Sequence, residues 1–255
     1  MPKTRHKIIF QGHKYKLAGI LSLPTTKPLA YVLFAHCFTC GKDFTASSRI
    51  SRALLGLGYG VFRFDFTGLG DSEGDFSDTN FSTNVADILA ASAYLQENFQ
   101  APSLLVGHSL GGTACIKAAS QLATCRAVVC ISSPATALHI IDLWDDKDVL
   151  SLQAKGYGSL RLAGREFLFK KQFLDDLNQQ TTHHIRNLNK PLLVMHSPKD
   201  EVVAINEAEK IYVKAQHPKS FVSLDNANHL LSNSADTQYV ADVIAAWFSR
   251  FNSSQ

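Results

Sequence analysis

The stretch Leu104–Ala114, LLVGHSLGGTA, decides the fold. The apolar residues Leu104, Leu105 and Val106 run into Gly107-His108-Ser109-Leu110-Gly111, and a helix-compatible segment follows. A strand that turns sharply into a helix pushes the residue at the turn out of the sheet. Glycines two positions to either side are needed there, because side chains would collide with the adjoining strand and helix. The start of the helix also aims free N–H groups at the same point. Ser109 therefore reads as a displayed nucleophile. A glycine-rich turn with an incidental serine is the plainer reading, so partners elsewhere in the chain must decide.

Working outward, AYVLFAH (30–36) is a continuous apolar run, as a parallel strand buried on both faces should be. KYKLAGILSLP (14–24) alternates and reads as an antiparallel edge strand. A helix is expected over 43–57, a strand at YGVFRFDF, and a helix over 80–99 with Val85, Ile88, Leu89, Ser92, Leu95 and Phe99 on one face. PSLLVGH is a strand and 110–123 a helix; RAVVCIS, PLLVMHS and SFVSLD are further strands. The last helix, from about Ser234 to Phe251, buries Val240, Val243, Ile244, Trp247, Phe248 and Phe251, with Ser234 as its N-cap. Strands alternating with helices give an α/β fold: a mainly parallel sheet with helices on both faces.

One interval breaks the rhythm. The roughly fifty residues between ISSPA and PLLVMH show no plain strand, which is long for a connection. They hold the amphipathic stretches ALHIIDLW and LAGREFLFKKQFLDDL. The expectation is one domain over 1–255 with a small, mostly helical lid inserted at about 136–188, where open α/β sheets bind ligands. Within it Leu138, Ile141 and Trp144 are expected to line the substrate pocket, against the alternative that they anchor the lid.

Composition narrows the class. The chain has 255 residues, 45% hydrophobic and 18% charged, with a net charge of +3. That charge is too small to argue for nucleic acid or an anionic membrane. The N-terminal sixteen residues are basic but lack the apolar core of a signal peptide. The apolar stretch LAYVLFAHCF is too short to span a bilayer. Five cysteines, four of them (Cys37, Cys115, Cys125, Cys130) in or beside core-like segments, read as free thiols in a reducing cytoplasm. Cys37 and Cys40 form a C-x-x-C pair. Zinc is not expected, since no second pair and no H-x₃₋₅-H follows. Packing of a tight loop is preferred over a redox pair. A homodimer is one option for the oligomeric state.

A serine hydroxyl needs a base, and the base an orienting acid. For a strand-turn-helix nucleophile the chain order is serine, acid, histidine. Of ten histidines, His229 in DNANHLL lies in the polar loop between the last strand and last helix. His36, His108 and His196 end strands near the site but should turn away from Ser109. His183 and His184 fall near the end of the insertion. For the acid, Asp200 in HSPKD follows a parallel strand and ranks first, ahead of Asp142 and Asp225. Acyl transfer also needs donors for the oxyanion. These are the N–H of Leu110, at the helix start, and that of Phe38 in HCFTCGKDF, two residues past the strand end.

GHSLGG, HSPKD and NANH, in that order and spread over most of the chain, resemble the α/β-hydrolase superfamily; FDFTGLGDSEG resembles the loop after a central strand there. HCFTCGKD is similar to the HGFT type of loop in bacterial cinnamoyl and feruloyl esterases, where the aromatic residue supplies an oxyanion N–H. HCFTC, FDFTGLGDSEGDF, TNF and QFLDDL resemble more closely the hydrolase half of bacterial proteins in which such a domain precedes an OsmC-type peroxide-reducing domain. This chain stops after the last hydrolase helix, so the resemblance implies the hydrolase half. It implies a cytoplasmic serine esterase acting on small to medium acyl esters, with a Ser109–His229–Asp200 triad and no metal or organic cofactor. A thioesterase, a small peptidase and a non-catalytic binding protein of the same fold are the alternatives.

Overall fold

The computed structural model describes residues 4–162 and 164–252. In chain order the elements are β1 (Thr4–Gln11), β2 (Lys16–Leu23), β3 (Tyr31–Ala35), α1 (Thr45–Gly56), β4 (Gly60–Phe64), α2 (Phe81–Asn98), β5 (Leu104–His108), α3 (Leu110–Ala119) and β6 (Ala127–Ile131). There follow α4 (Asp146–Lys155), β7 (Tyr157–Leu162), β8 (Arg165–Lys170), α5 (Lys171–Asn178), α6 (His183–Arg186), β9 (Leu192–His196), α7 (Ile205–Lys214), β10 (Lys219–Ser223) and α8 (Ser234–Asn252). Eight strands form one sheet in the order β1-β2-β4-β3-β5-β6-β9-β10. β2 is antiparallel to both its neighbours, and the remaining pairs are parallel.

The central strands are buried along their whole length, which is why they read as unbroken apolar runs. Alternate residues feed opposite faces. Leu33, Phe62, Phe64, Leu105 and Val128 pack into a core with residues of α2 and α3. Val32, Phe34, Leu104, Val106 and Met195 pack into the other, with residues of α1 and α8. α2 starts at a reciprocal cap: Thr83 N–H donates to the Asn80 side chain at 2.9 Å, and Asn80 N–H donates back to Thr83 Oγ1 at 2.9 Å.

Three expectations change. The segment 14–24 is not the sheet edge, because β1 pairs along its outer side and leaves only Ile8 and Phe10 buried. α8 begins at Ser234, but its cap is Asn233, whose side chain accepts from Ala235 N–H at 3.0 Å. The inserted segment carries, besides the expected helices, the antiparallel hairpin β7–β8. Because β3, β5, β6 and β9 are parallel, the loops after them leave one edge of the sheet, and Phe38, Ser109 and Asp200 all lie in or at those loops. No helix among the described residues is long and apolar enough to cross a membrane.

Candidate active site

Ser109 sits between β5 and α3 with φ +54° and ψ −129°, a conformation side chains rarely adopt. Its N–H donates to Ile131 O at 2.8 Å, and its carbonyl accepts from Gly112 N–H at 2.9 Å, so the turn is pinned from both sides. The glycines are sterically required. A Cβ on Gly107 would meet the backbone of Gly111, and one on Gly111 would meet the carbonyl oxygens of His36 and Ala35. Gly111 thereby lets the start of α3 press against the end of β3.

Asp200 and His229 are brought together. His229 Nδ1 lies 2.9 Å from Asp200 Oδ2 and 3.1 Å from Oδ1. A carboxylate only accepts, so Nδ1 carries the proton and Nε2 is left as the basic atom. Asp200 Oδ1 also accepts from the N–H groups of Val202 and Val203, each at 2.9 Å. Burial alone would raise the Asp200 pKa; the His229 hydrogen bond and charge, with the two backbone donors, outweigh it and hold the carboxyl below its ordinary value.

The other acids stand elsewhere. Asp142 pairs at 3.2 Å with His139 on the exposed 3₁₀ turn Ala137–Leu143. Asp225 lies in the turn two residues past β10, at φ +43°, with its carbonyl accepting from Ser197 Oγ.

The strand-end histidines do turn to the backbone. His108 Nε2 donates to His229 O at 2.7 Å, and burial drives its pKa down to about 3, so it stays neutral. This bond ties the His229 loop to the residue preceding Ser109. His196 Nε2 donates to Val203 O at 2.7 Å and lies 3.6 Å from Asp200 Oδ2. His36 Nδ1 donates to Cys37 O at 2.8 Å. All three lie beside the site and turn away from Ser109 to hold backbone carbonyls. The signal was available: a histidine at the end of a doubly buried strand needs a backbone partner.

Phe38 and Leu110 line one recess, together with His36, Phe66, Leu69, Phe76, Asn84, Gly111 and Ala114. It has about 10 Å³ of free space, room for roughly one water. The Phe38 ring packs against Phe76, Phe169 and Phe173 at centroid distances of 5.7, 6.2 and 5.7 Å. Trp144 joins this cluster, 4.9 Å from Phe169 and 6.0 Å from Phe173. Ile141 packs half-buried against the same core, whereas Leu138 is 40% exposed. Phe169 lies on β8, where Phe167 and Phe169 are spaced by two, the period of a strand, whereas Phe173 lies on α5 as a mostly helical insertion expects.

The loop after β3 brings a correction. Cys37 and Cys40 are joined in a disulfide, not free, because the turn between them brings their Cα atoms within 5.4 Å. Cys115, Cys125 and Cys130 are free and buried. Beyond Cys40 the loop is fixed by charge: Asp65 accepts from Lys42 N–H at 2.5 Å and from Lys42 Nζ at 2.6 Å, and Asp71 takes Lys42 Nζ at 2.7 Å. No cluster of three or more histidine, cysteine or acidic side chains is arranged to hold a metal among the described residues.

The chain is similar to proteins described as esterases and as a thioesterase. The chain is 40% identical to the esterase domain of a Rhodothermus marinus protein, over 98% of this chain and all of that one, with a TM-score of 0.79. Est1E of Butyrivibrio proteoclasticus, solved with ferulic acid bound, superposes with a TM-score of 0.83 at 18% identity, over 96% of this chain and 98% of that one. The mitochondrial palmitoyl-protein thioesterase ABHD10 of Bos taurus is 23% identical over 252 residues, 91% of this chain and 80% of that protein. The chain spans about half the length of some other relatives: an uncharacterized protein, YfhR of Salmonella typhimurium, is matched over 54% of its length. The profile of the alpha/beta hydrolase family matches residues 32–243, and the chain belongs to that family.

Proposed function

We propose that the protein is a serine esterase that cleaves carboxylic esters of small to medium aliphatic or aromatic acids through an acyl-enzyme on Ser109. His229 Nε2 takes the serine proton as Oγ attacks the carbonyl, and Asp200 orients the imidazole and stabilises its charged form. The N–H groups of Phe38 and Leu110 receive the oxyanion. His229 then passes its proton to the departing alkoxide and activates the water that frees the acid. The observation that carries this reading is the buried Asp200–His229 pair, on a loop hydrogen-bonded to the residue before the strained Ser109 turn. The inserted segment 136–188 acts as the lid, with Trp144 and Ile141 on its substrate side.

The test is covalent labelling. A fluorophosphonate probe should modify Ser109, and Ser109→Ala should lose labelling and essentially all ester turnover while keeping its fold by circular dichroism. An unlabelled wild-type protein would instead favour a binding role. The thioesterase named among the relatives gives a second reading, a thioester substrate. Matched oxygen and thiol esters of one acid separate the two by kcat/KM.

A further inference from the structure

We propose that the Cys37–Cys40 disulfide positions the oxyanion loop, so that the enzyme turns over in its disulfide form and loses turnover when a dithiol reduces the pair. This rests on the assignment of Phe38 N–H as an oxyanion donor. The staple spans only four residues, Cys37–Cys40. They form a turn closed by Cys40 N–H donating to Cys37 O at 3.2 Å. Its third residue, Thr39, has φ +64°. Turns of this kind take glycine there, because a β-branched side chain resists the left-handed region. The turn is therefore held against the preference of its own sequence.

Its flanks are anchored. On one side His36 Nδ1 donates to Cys37 O, and His36 Nε2 accepts from Phe66 N–H at 3.4 Å. On the other side Lys42 is fixed by Asp65 and Asp71. Between these anchors the disulfide is the covalent restraint. Phe38 lies inside the stapled turn and borders the same recess as Leu110. Once the staple is cut, Thr39 is free to relax toward negative φ, and Phe38 moves with it. Misplacement by about 1 Å costs on the order of a hundredfold in rate, comparable to losing one oxyanion donor.

The redox step balances as thiol–disulfide exchange. A thiolate of the dithiol attacks Sγ of Cys40, which is half-buried, and the Cys37 sulfur leaves as a thiolate and takes up a proton. The second thiol of the reductant then displaces Cys40. The products are two protein thiols and the disulfide of the reductant. The reverse exchange with an oxidised dithiol restores the staple.

The experiment measures kcat and KM on an aryl ester before and after anaerobic dithiothreitol, with the redox state read from the mass added by a thiol alkylating agent. Cys115, Cys125 and Cys130 are free in both forms, so alkylation after unfolding adds three groups to the disulfide form and five to the reduced form. Reduction should lower kcat on the order of a hundredfold with little change in KM, and reoxidation should restore it. Cys37→Ala/Cys40→Ala should show the low kcat with or without reductant. Thr39→Gly should keep most of its activity after reduction, because glycine holds positive φ without a staple. A sample shown by that alkylation to be fully reduced, yet with unchanged kcat, would overturn the proposal. So would a Thr39→Gly variant that falls as far as the parent. Failure of the esterase reading looks different: the disulfide form itself would be inactive and unlabelled by fluorophosphonate.

Discussion

At the scale of one residue, Asp200 divides its carboxylate between two tasks. Oδ1 collects the N–H groups of Val202 and Val203, and Oδ2 faces His229 Nδ1. That division decides what asparagine would do there. The two backbone donors hold the amide oxygen at the Oδ1 position, which turns the NH₂ group toward His229. The imidazole must then present a bare Nδ1, placing its proton on Nε2, where the base is needed. Asp200→Asn should therefore cut kcat by roughly four orders of magnitude, while Asp142→Asn and Asp225→Asn stay near wild type in the same ester assay. The substitution should also change acid stability. A carboxyl whose folded pKa is depressed adds stability above its unfolded value, about 3.9, and loses it as pH falls through the folded value. Thermal melts below about pH 4 should thus show a shallower loss of stability for Asp200→Asn than for the parent.

At the scale of elements, the strand-turn-helix at Ser109 stores backbone strain. A φ of +54° with ψ −129° costs a non-glycine residue on the order of 1–3 kcal/mol. Ser109→Gly should relieve it and Ser109→Ala should not, since alanine keeps the Cβ. Both should be inactive, but the glycine variant should melt a few degrees higher than the alanine one by calorimetry. This element was legible in the sequence because two signals agree there: an apolar run fixes the strand, and the glycines mark where backbone must meet backbone. That Asp200 and His229 meet was legible from chain order, since parallel strands send their following loops to one edge. β1 was not legible, because its burial reduces to Ile8 and Phe10 in a strand whose other residues, Ile9 apart, are polar. The hairpin β7–β8 was hidden for a related reason: two of its inward residues, Phe167 and Phe169, sit in a stretch whose apolar content also suits a helix. The disulfide was open to either reading, since C-x-x-C spacing does not say whether the intervening turn draws the sulfurs together.

At the scale of the molecule, the inserted segment and the sheet meet in one aromatic cluster over the candidate site. Phe38 comes from the loop after β3, Phe76 from the 3₁₀ turn before α2, and Trp144, Phe169 and Phe173 from the insertion. About 10 Å³ is free beside Phe38, so in the proposed reaction an acyl group on that side would require some of these rings to move. Trp144 is the ring to test, because it touches the hairpin and α5 but is not itself in the proposed catalytic set. It is 8% exposed, and its indole N–H has no hydrogen-bond partner among the described residues, a cost of about 1–3 kcal/mol. Two substitutions separate packing from selection. Trp144→Phe keeps a ring against Phe169 and Phe173 and removes the unsatisfied donor, so its melting temperature should equal or exceed the parent's. Trp144→Ala opens space beside Phe169 and should lose up to roughly 3–5 kcal/mol of stability. If Trp144 borders the acyl group, the alanine variant should also shift kcat/KM toward bulkier acids across a panel of aliphatic and aromatic esters, and the phenylalanine variant should shift it part of the way. Unchanged ratios in both, with stability alone reduced in Trp144→Ala, would make Trp144 an anchor for the insertion and move the specificity wall to Phe38 and Phe76.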